Sequence, residues 1–241
     1  MVDAIVDVKE ILAIIPARGN SKGIPRKNMI PLCGKPLLQW ALESTSKSNM
    51  ITRSLVSSED DKILQFCRKQ NFETIRRPAD LSQDNSTSES VIMHVLKTLK
   101  KNEDYNPDII LLLQATSPLR TAIDIDNAIH FIINSNGRSL ISGYIPDKHP
   151  LKTFIIGEEK YLLPISKPEY PFMARQVLPI AFNPDGAIYI TYTTDFLLNK
   201  TFYNDHTIPF YLDNKKKVDI DSIEDLKIAE QMIISMNTQI I

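Results

Sequence analysis

Two uninterrupted apolar runs, at residues 11–15 and 109–113, limit what this chain can fold into more than any other feature. A strand with one wet face alternates apolar and polar residues, whereas a run with no polar member needs cover on both sides. Each run is too short for a helix. Each is closed by a loop signal, Pro16 in the first case and the QATSPLR stretch in the second. Helical spacing is expected at 36–46, where Pro36 suits a first turn, and at 60–69. A third helix is expected after the capping-box pair Ser86 and Glu89, with Val91, Val95, Leu96 and Leu99 on its face. Strands are expected at 55–57, 72–75, 140–145, 187–191, 208–212 and 218–220, with helices at 124–133, 195–198 and 223–236. This alternation predicts an α/β fold of three layers, with a mainly parallel sheet between helices and right-handed crossovers.

One region breaks the pattern. Residues 146–184 carry prolines at 146, 150, 164, 168, 171, 179 and 184, with two short apolar runs at 153–156 and 161–163. The expectation is one domain over 1–241 with an arm at about 146–184. A net charge of −1 and a pI near 6.4 exclude bulk electrostatic binding to nucleic acid. Two cysteines, Cys33 and Cys67, give neither a disulfide framework nor a metal-ligand spacing. The opening MVDAIVDVKE lacks a cationic segment followed by an apolar one, and no run approaches membrane-spanning length. A cytoplasmic protein without membrane contact is expected.

Against that balanced charge, the loop after the first apolar run stands out. Arg18, Lys22, Arg26 and Lys27 fall within ten residues, and no acidic residue occurs between Ile11 and Leu42. Gly19 and Gly23 would allow unusual backbone angles and close ligand approach. The spacing is neither a Walker A motif nor GxGxxG. A loop of this kind at the carboxyl end of a strand suits a compact polyanion, and it is also compatible with a solvated basic loop.

Alternation in VDIDS puts Asp219 and Asp221 on one face, away from Val218 and Ile220. Two such carboxylates can hold Mg2+ together with substrate phosphates. Equally, Ser222 with Asp225 could cap the last helix and Asp221 sit beside its positive end. A second DID, Asp124 and Asp126, enters a helical pattern and reads as helix-end electrostatics. QATSPLR brings Gln114, Thr116, Ser117 and Arg120 to the same sheet edge, either to orient a substrate or as a plain turn. Asp185 and Gly186, in NPDGAIYI, read as turn residues. The four histidines show no ligand spacing.

Taken in order, IIPARGNSKGIPRKN, RPADLSQD, LLLQATSPLR, HPLKT, RQVLP, DGAIYI and VDIDSIEDL resemble the acylneuraminate cytidylyltransferases, the CMP-sialic acid synthetases, a family that includes legionaminic acid enzymes. The resemblance implies a Rossmann-like nucleotidyltransferase fold with a dimerisation arm, and transfer of CMP from CTP to the anomeric hydroxyl of a nine-carbon α-keto sugar acid. It implies that Arg18 and Lys22 hold the triphosphate and stabilise departing pyrophosphate, with Ser21 and Lys27 lining the loop. Asn28 and Arg77 would recognise cytidine. Asp219 and Asp221 would bind Mg2+, and Asp221 would assist deprotonation of the sugar hydroxyl. Family members are homodimers whose arm reaches the neighbour's sugar pocket, which assigns Lys152 and Arg175 to the sugar carboxylate, with Gln114 contacting the sugar from the main domain. Asn183 stands where the sialic acid enzymes usually carry arginine, and Asp185 replaces the usual asparagine. Losing a bidentate cation and gaining an acid beside an anionic sugar is not conservative, and it points to a related nonulosonate such as legionaminic acid. The rivals are a ketodeoxyoctonate cytidylyltransferase and a catalytically silent nucleotide-binding module.

Overall fold

The computed structural model describes residues 10–213 and 218–238. Most of the MVDAIVDVKE segment therefore lies outside the described residues. In chain order the strands are β1 (Ile11–Pro16), β2 (Pro31–Leu32), β3 (Lys35–Pro36), β4 (Arg53–Ser58), β5 (Glu73–Arg76), β6 (Ile109–Leu112), β7 (Ser139–Tyr144), β8 (Phe154–Ile156), β9 (Leu162–Pro164), β10 (Asn183–Tyr192) and β11 (Thr207–Tyr211). The helices are α1 (Leu37–Ser46), α2 (Asp61–Lys69), α3 (Ser88–Glu103), α4 (Ala122–Ile133), α5 (Thr193–Asn199) and α6 (Ile223–Thr238).

Seven strands form one sheet in the order β11-β7-β10-β6-β1-β4-β5. Strands β5, β4, β1 and β6 pair parallel, β11 pairs parallel with β7, and β10 alone runs antiparallel to both neighbours. The two apolar runs are adjacent at the centre. In β1, Ile11, Ala13 and Ile15 point to one core with α1, α2 and α4, while Leu12 and Ile14 point to another with α3 and α5. Burial on both faces is the reason those runs have no polar member. Among the described residues no helix is long and apolar enough to cross a membrane.

A third apolar cluster decides where the site forms. Ile24 from the basic loop packs with Leu32, Leu37 and Leu119, with Val218 and Ile220, and with Ala229 and Ile233 of α6. This cluster clamps the segment before α6 onto the loop after β1.

Several local expectations change. Residues 218–220 are not a strand; among the described residues one ladder-like bond, Ile220 N–H to the Thr116 carbonyl at 2.9 Å, anchors them. Their alternation survives all the same, with Val218 and Ile220 buried and Asp219 exposed to the cleft. Pro36 closes the β2–β3 hairpin and precedes α1 instead of lying in its first turn. The cap of α3 is Thr87, whose side chain accepts the Ser90 N–H; the helix starts one residue later than the Ser86/Glu89 spacing requires. Asp124 does serve a helix end, in a capping box with Thr121, but Asp126 turns away to accept bonds from Ser48 and from the Asn49 and Met50 N–H groups. Within 146–184 the chain forms the β8–β9 hairpin and short 3-10 turns, with Ile155, Ile156, Leu162, Phe172, Val177 and Ile180 all more than half exposed.

Candidate active site

The carboxyl ends of β1 and β6 open into a cleft of about 420 Å³. Its lining includes Arg18, Ser21, Lys27 and Asn28 from the basic loop, Arg77 and Asp84 from the loop after β5, Gln114 and Thr116 after β6, and Asp219 and Asp221. Adjacent parallel strands whose loops splay apart leave such a crevice at this edge.

Although no acid lies between Ile11 and Leu42, folding brings four to the basic loop. Glu59 accepts the Gly19 N–H at 2.7 Å, and Asp60 lies 3.6 Å from Arg26. Asp84 receives Arg18 at 3.2 Å and Lys22 at 3.0 Å on its two oxygens. Asp221 accepts Lys27 Nζ at 2.7 Å, a bond between groups 194 residues apart in sequence. The glycines act differently from expectation. Neither Gly19 nor Gly23 has a positive φ; Arg26 does, at 56°. A Cβ on Gly19 would sit 2.6 Å from Asp60 Oδ2, and one on Gly23 would sit 2.4 Å from the Asp221 carbonyl. These glycines admit the acidic segments to the loop.

Arg77 is buried, with Nη2 3.0 Å from Glu59 Oε2 and Nε donating to Ser82 Oγ at 2.8 Å. Burial lowers its pKa, with Glu59 acting in the opposite sense. Burial would raise the Glu59 carboxyl, but the Gly19 N–H, the Ser82 hydroxyl and Arg77 together hold it below its ordinary value. Asn28 is likewise buried and donates to the Arg18 carbonyl at 2.9 Å, which fixes the path of the loop. Lys22 does not line the cleft directly; it projects from the loop with most of its side chain exposed and reaches the rim through Asp84.

Asp219 opens to the cleft but is flanked by protein, and that desolvation raises its pKa. A hydrogen bond from Thr116 opposes the rise, Asp221 adds to it, Lys27 opposes it, and Asp185 adds to it again. Among the described residues, no cluster of three or more His, Cys, Asp or Glu side chains is placed to hold a metal. The donor set is the pair Asp219 and Asp221, which fits Mg2+, an ion that takes one or two carboxylates and completes its shell with phosphate oxygens and water. The mutual crowding of these carboxylates is what a cation would relieve. The helix-cap alternative is also present, since Ser222 and Asp225 exchange bonds at the start of α6. Asp221 offers only its backbone N–H to that cap, so its carboxylate stays with Lys27.

The residues assigned to the sugar divide. Gln114 shares the main cleft, and Gly186 faces it: a Cβ there would lie 2.9 Å from Gln114 Oε1 and 3.1 Å from Asp219 Oδ2. Lys152 and Arg175 line a separate depression of about 380 Å³ with Asp147 and His149, and Arg175 donates to the Asp147 and Pro146 carbonyls. Asn183 is half-buried at the start of β10, paired with Tyr144. Glu59 and Asp84 escaped sequence reasoning, because neither lies in a spacing that links it to residues 18–28.

The Cytidylyltransferase family pattern matches residues 12–240. The chain is 27% identical over 216 residues to an N-acylneuraminate cytidylyltransferase of Streptococcus agalactiae serotype V, covering 89% of this chain and 51% of that protein. It therefore spans about half the length of that relative. It is 29% identical over 221 residues to a pseudaminic acid cytidylyltransferase of Campylobacter jejuni, covering 91% of this chain and 94% of the relative. It is 30% identical over 231 residues to a CMP-N,N'-diacetyllegionaminic acid synthase of Legionella pneumophila, covering 92% and 96%. A solved CMP:2-keto-3-deoxy-manno-octonic acid synthetase shares the fold, with a TM-score of 0.69, 15% identity, and coverage of 95% of this chain and 100% of that one.

Proposed function

The chain belongs to the cytidylyltransferase family, and on that premise we propose that it transfers CMP from CTP to the anomeric hydroxyl of a nine-carbon α-keto sugar acid, releasing pyrophosphate. The observation that carries this reading is the Lys27–Asp221 contact, which joins a wall of cations to a pair of carboxylates across one cleft. Arg18 and Lys22 receive the β- and γ-phosphates, exchanging Asp84 for the nucleotide, and stabilise the charge that builds as pyrophosphate departs. Ser21 and Lys27 line the phosphate path. Arg77, held rigid by Glu59 and Ser82, and Asn28 border the cytidine side.

In the transfer the anomeric oxygen bonds to the α-phosphorus, the bond from that phosphorus to the bridging oxygen breaks, and the hydroxyl proton passes to Asp221. Lys27 beside Asp221 keeps that carboxylate oriented toward the cleft. Mg2+ bound at Asp219 and Asp221 would neutralise the triphosphate and polarise the reacting phosphoryl group. Gln114 contacts the sugar from the main domain.

Lys152 and Arg175 lie outside the main cleft, and the arm around them exposes Phe172, Val177 and Ile180. Both features support a homodimer in which each arm delivers these cations to the sugar carboxylate in the partner's cleft. Asn183 and Asp185 favour an analogue such as legionaminic acid over N-acetylneuraminate. The cytoplasm, where CTP is made, is the proposed compartment. Pyrophosphate release with CTP and Mg2+ across sialic, legionaminic and pseudaminic acids and the eight-carbon ketodeoxyoctonate tests the reading. Release is expected with a nine-carbon acid, and silence across the panel would overturn it.

A further inference from the structure

The LLLQATSPLR block ends on a residue to which the reaction above gives no task. Arg120 is 3% exposed and is not among the residues that line the cleft. Nη1 donates to two main-chain carbonyls, Gln114 at 2.9 Å and Ala187 at 2.7 Å. Among the described residues, Nε and Nη2 find no hydrogen-bond partner. A guanidinium held this way is costly to bury, and an apolar side chain would fill the same volume without that cost. What an apolar side chain would not do is bind one carbonyl from the loop after β6 and one from β10 with one nitrogen.

Those carbonyls belong to the segments that shape one end of the cleft. Strand β10 leaves its ladder with β7 between Pro184, opposite Gly143, and Tyr189, opposite Ile141. Residues 185–188 form the resulting bulge. On one side Asp185 Oδ1 accepts the Ala187 N–H at 2.9 Å and the Ser142 hydroxyl at 2.5 Å, while the Ile188 N–H donates to Ser142 Oγ at 2.8 Å. On the other side, among the described residues, the Ala187 carbonyl accepts the Arg120 side chain. The bulge projects Gly186, at φ 77°, into the narrow space between Gln114 and Asp219.

We propose that Arg120 is a positioning residue for the sugar half of the site, setting the gap between Gln114, Gly186 and Asp219 by tying the end of β6 to the β10 bulge. The inference rests on the sugar-acid reading above for its kinetic consequence, but not for its structural one. Arg120→Lys keeps the charge and loses the planar grip. It is expected to lower kcat/KM for the sugar on the order of tenfold to a hundredfold, because displacing a substrate-positioning group by about an ångström costs that much. The Kd for CTP, titrated directly without divalent metal, should stay within about threefold of wild type, since the cationic wall is untouched. Amide exchange measured by mass spectrometry should quicken in peptides covering 185–188. Equal losses for CTP and sugar, or unchanged sugar kinetics with unchanged exchange, would overturn the proposal. Gly186→Ala is the second variant, and it leaves Arg120 in place while driving a Cβ against Gln114 and Asp219, with CTP affinity again titrated without divalent metal. It should give the same sugar-selective loss; an equal effect on CTP counts against the assignment. If the wild-type protein activates no sugar acid, the proposed reaction fails, and the exchange of 185–188 in Arg120→Lys still decides whether Arg120 holds the bulge.

Discussion

The basic loop after β1 and the arm at 146–184 are both rich in cations, yet they end in opposite states. In the loop, Arg18, Lys22, Arg26 and Lys27 each meet a carboxylate delivered by folding. In the arm, Arg175 donates to main-chain carbonyls, Lys152 is exposed, and Phe172, Val177 and Ile180 face outward. A charged region that finds its counter-ions within one chain is preorganised before substrate arrives. One that keeps both its charge and its apolar surface open suits the partner contact proposed for the arm.

Removing the carboxylate that answers the loop should have the largest effect. Asp221→Ala is expected to lower pyrophosphate release by about a thousandfold or more, with an unchanged circular dichroism spectrum, and chelation of divalent metal should do the same to the wild type. Near-normal turnover in that variant would remove the role given to Asp221. Lys22→Ala should follow, with kcat down on the order of a hundredfold and the KM for sugar almost unchanged. On the arm, Phe172→Asp should shift the protein toward monomer in sedimentation velocity and weaken sugar use roughly tenfold, while CTP binding persists. An arm variant that stays dimeric and fully active would erase the contrast between the two regions.

Smaller effects test the preorganisation itself. Gly23→Ala forces a Cβ against the Asp221 carbonyl, which should cost about 1–3 kcal/mol in denaturant unfolding. Glu59 supplies a pH test. Its folded pKa lies below the ordinary 4.5, so its contribution is fully present above that value and is lost as pH falls through the lower folded value. In that acid window the unfolded chain binds the extra proton, and stability should fall as pH is lowered. Glu59→Gln should flatten the dependence and cost on the order of 2 kcal/mol at neutral pH, with Arg77 left buried opposite a neutral amide.

Some of this was legible before folding. Apolar runs at 11–15 and 109–113 require cover on both faces, and that requirement alone calls for central strands between two helical layers. Alternation in VDIDS separated Asp219 and Asp221 from Val218 and Ile220 correctly, even though the segment is not a strand, because burial of every second side chain needs no ladder. The glycines misled, since a glycine that permits a positive φ and one that admits a neighbour's backbone look the same in sequence.

The pattern of burial and the list of charges are properties of consecutive residues and are written in the chain. Which carboxylate meets which cation was decided only by the tertiary structure. Lys27 and Asp221 are joined because Ile24, Val218 and Ile220 share one apolar cluster under α6, and Arg120 reaches Gln114 and Ala187 together because β6 and β10 are neighbours. Hydrophobic packing is non-directional and can be read as a pattern, whereas ion pairs and two-ended hydrogen bonds exist only at distances that the whole fold must first set.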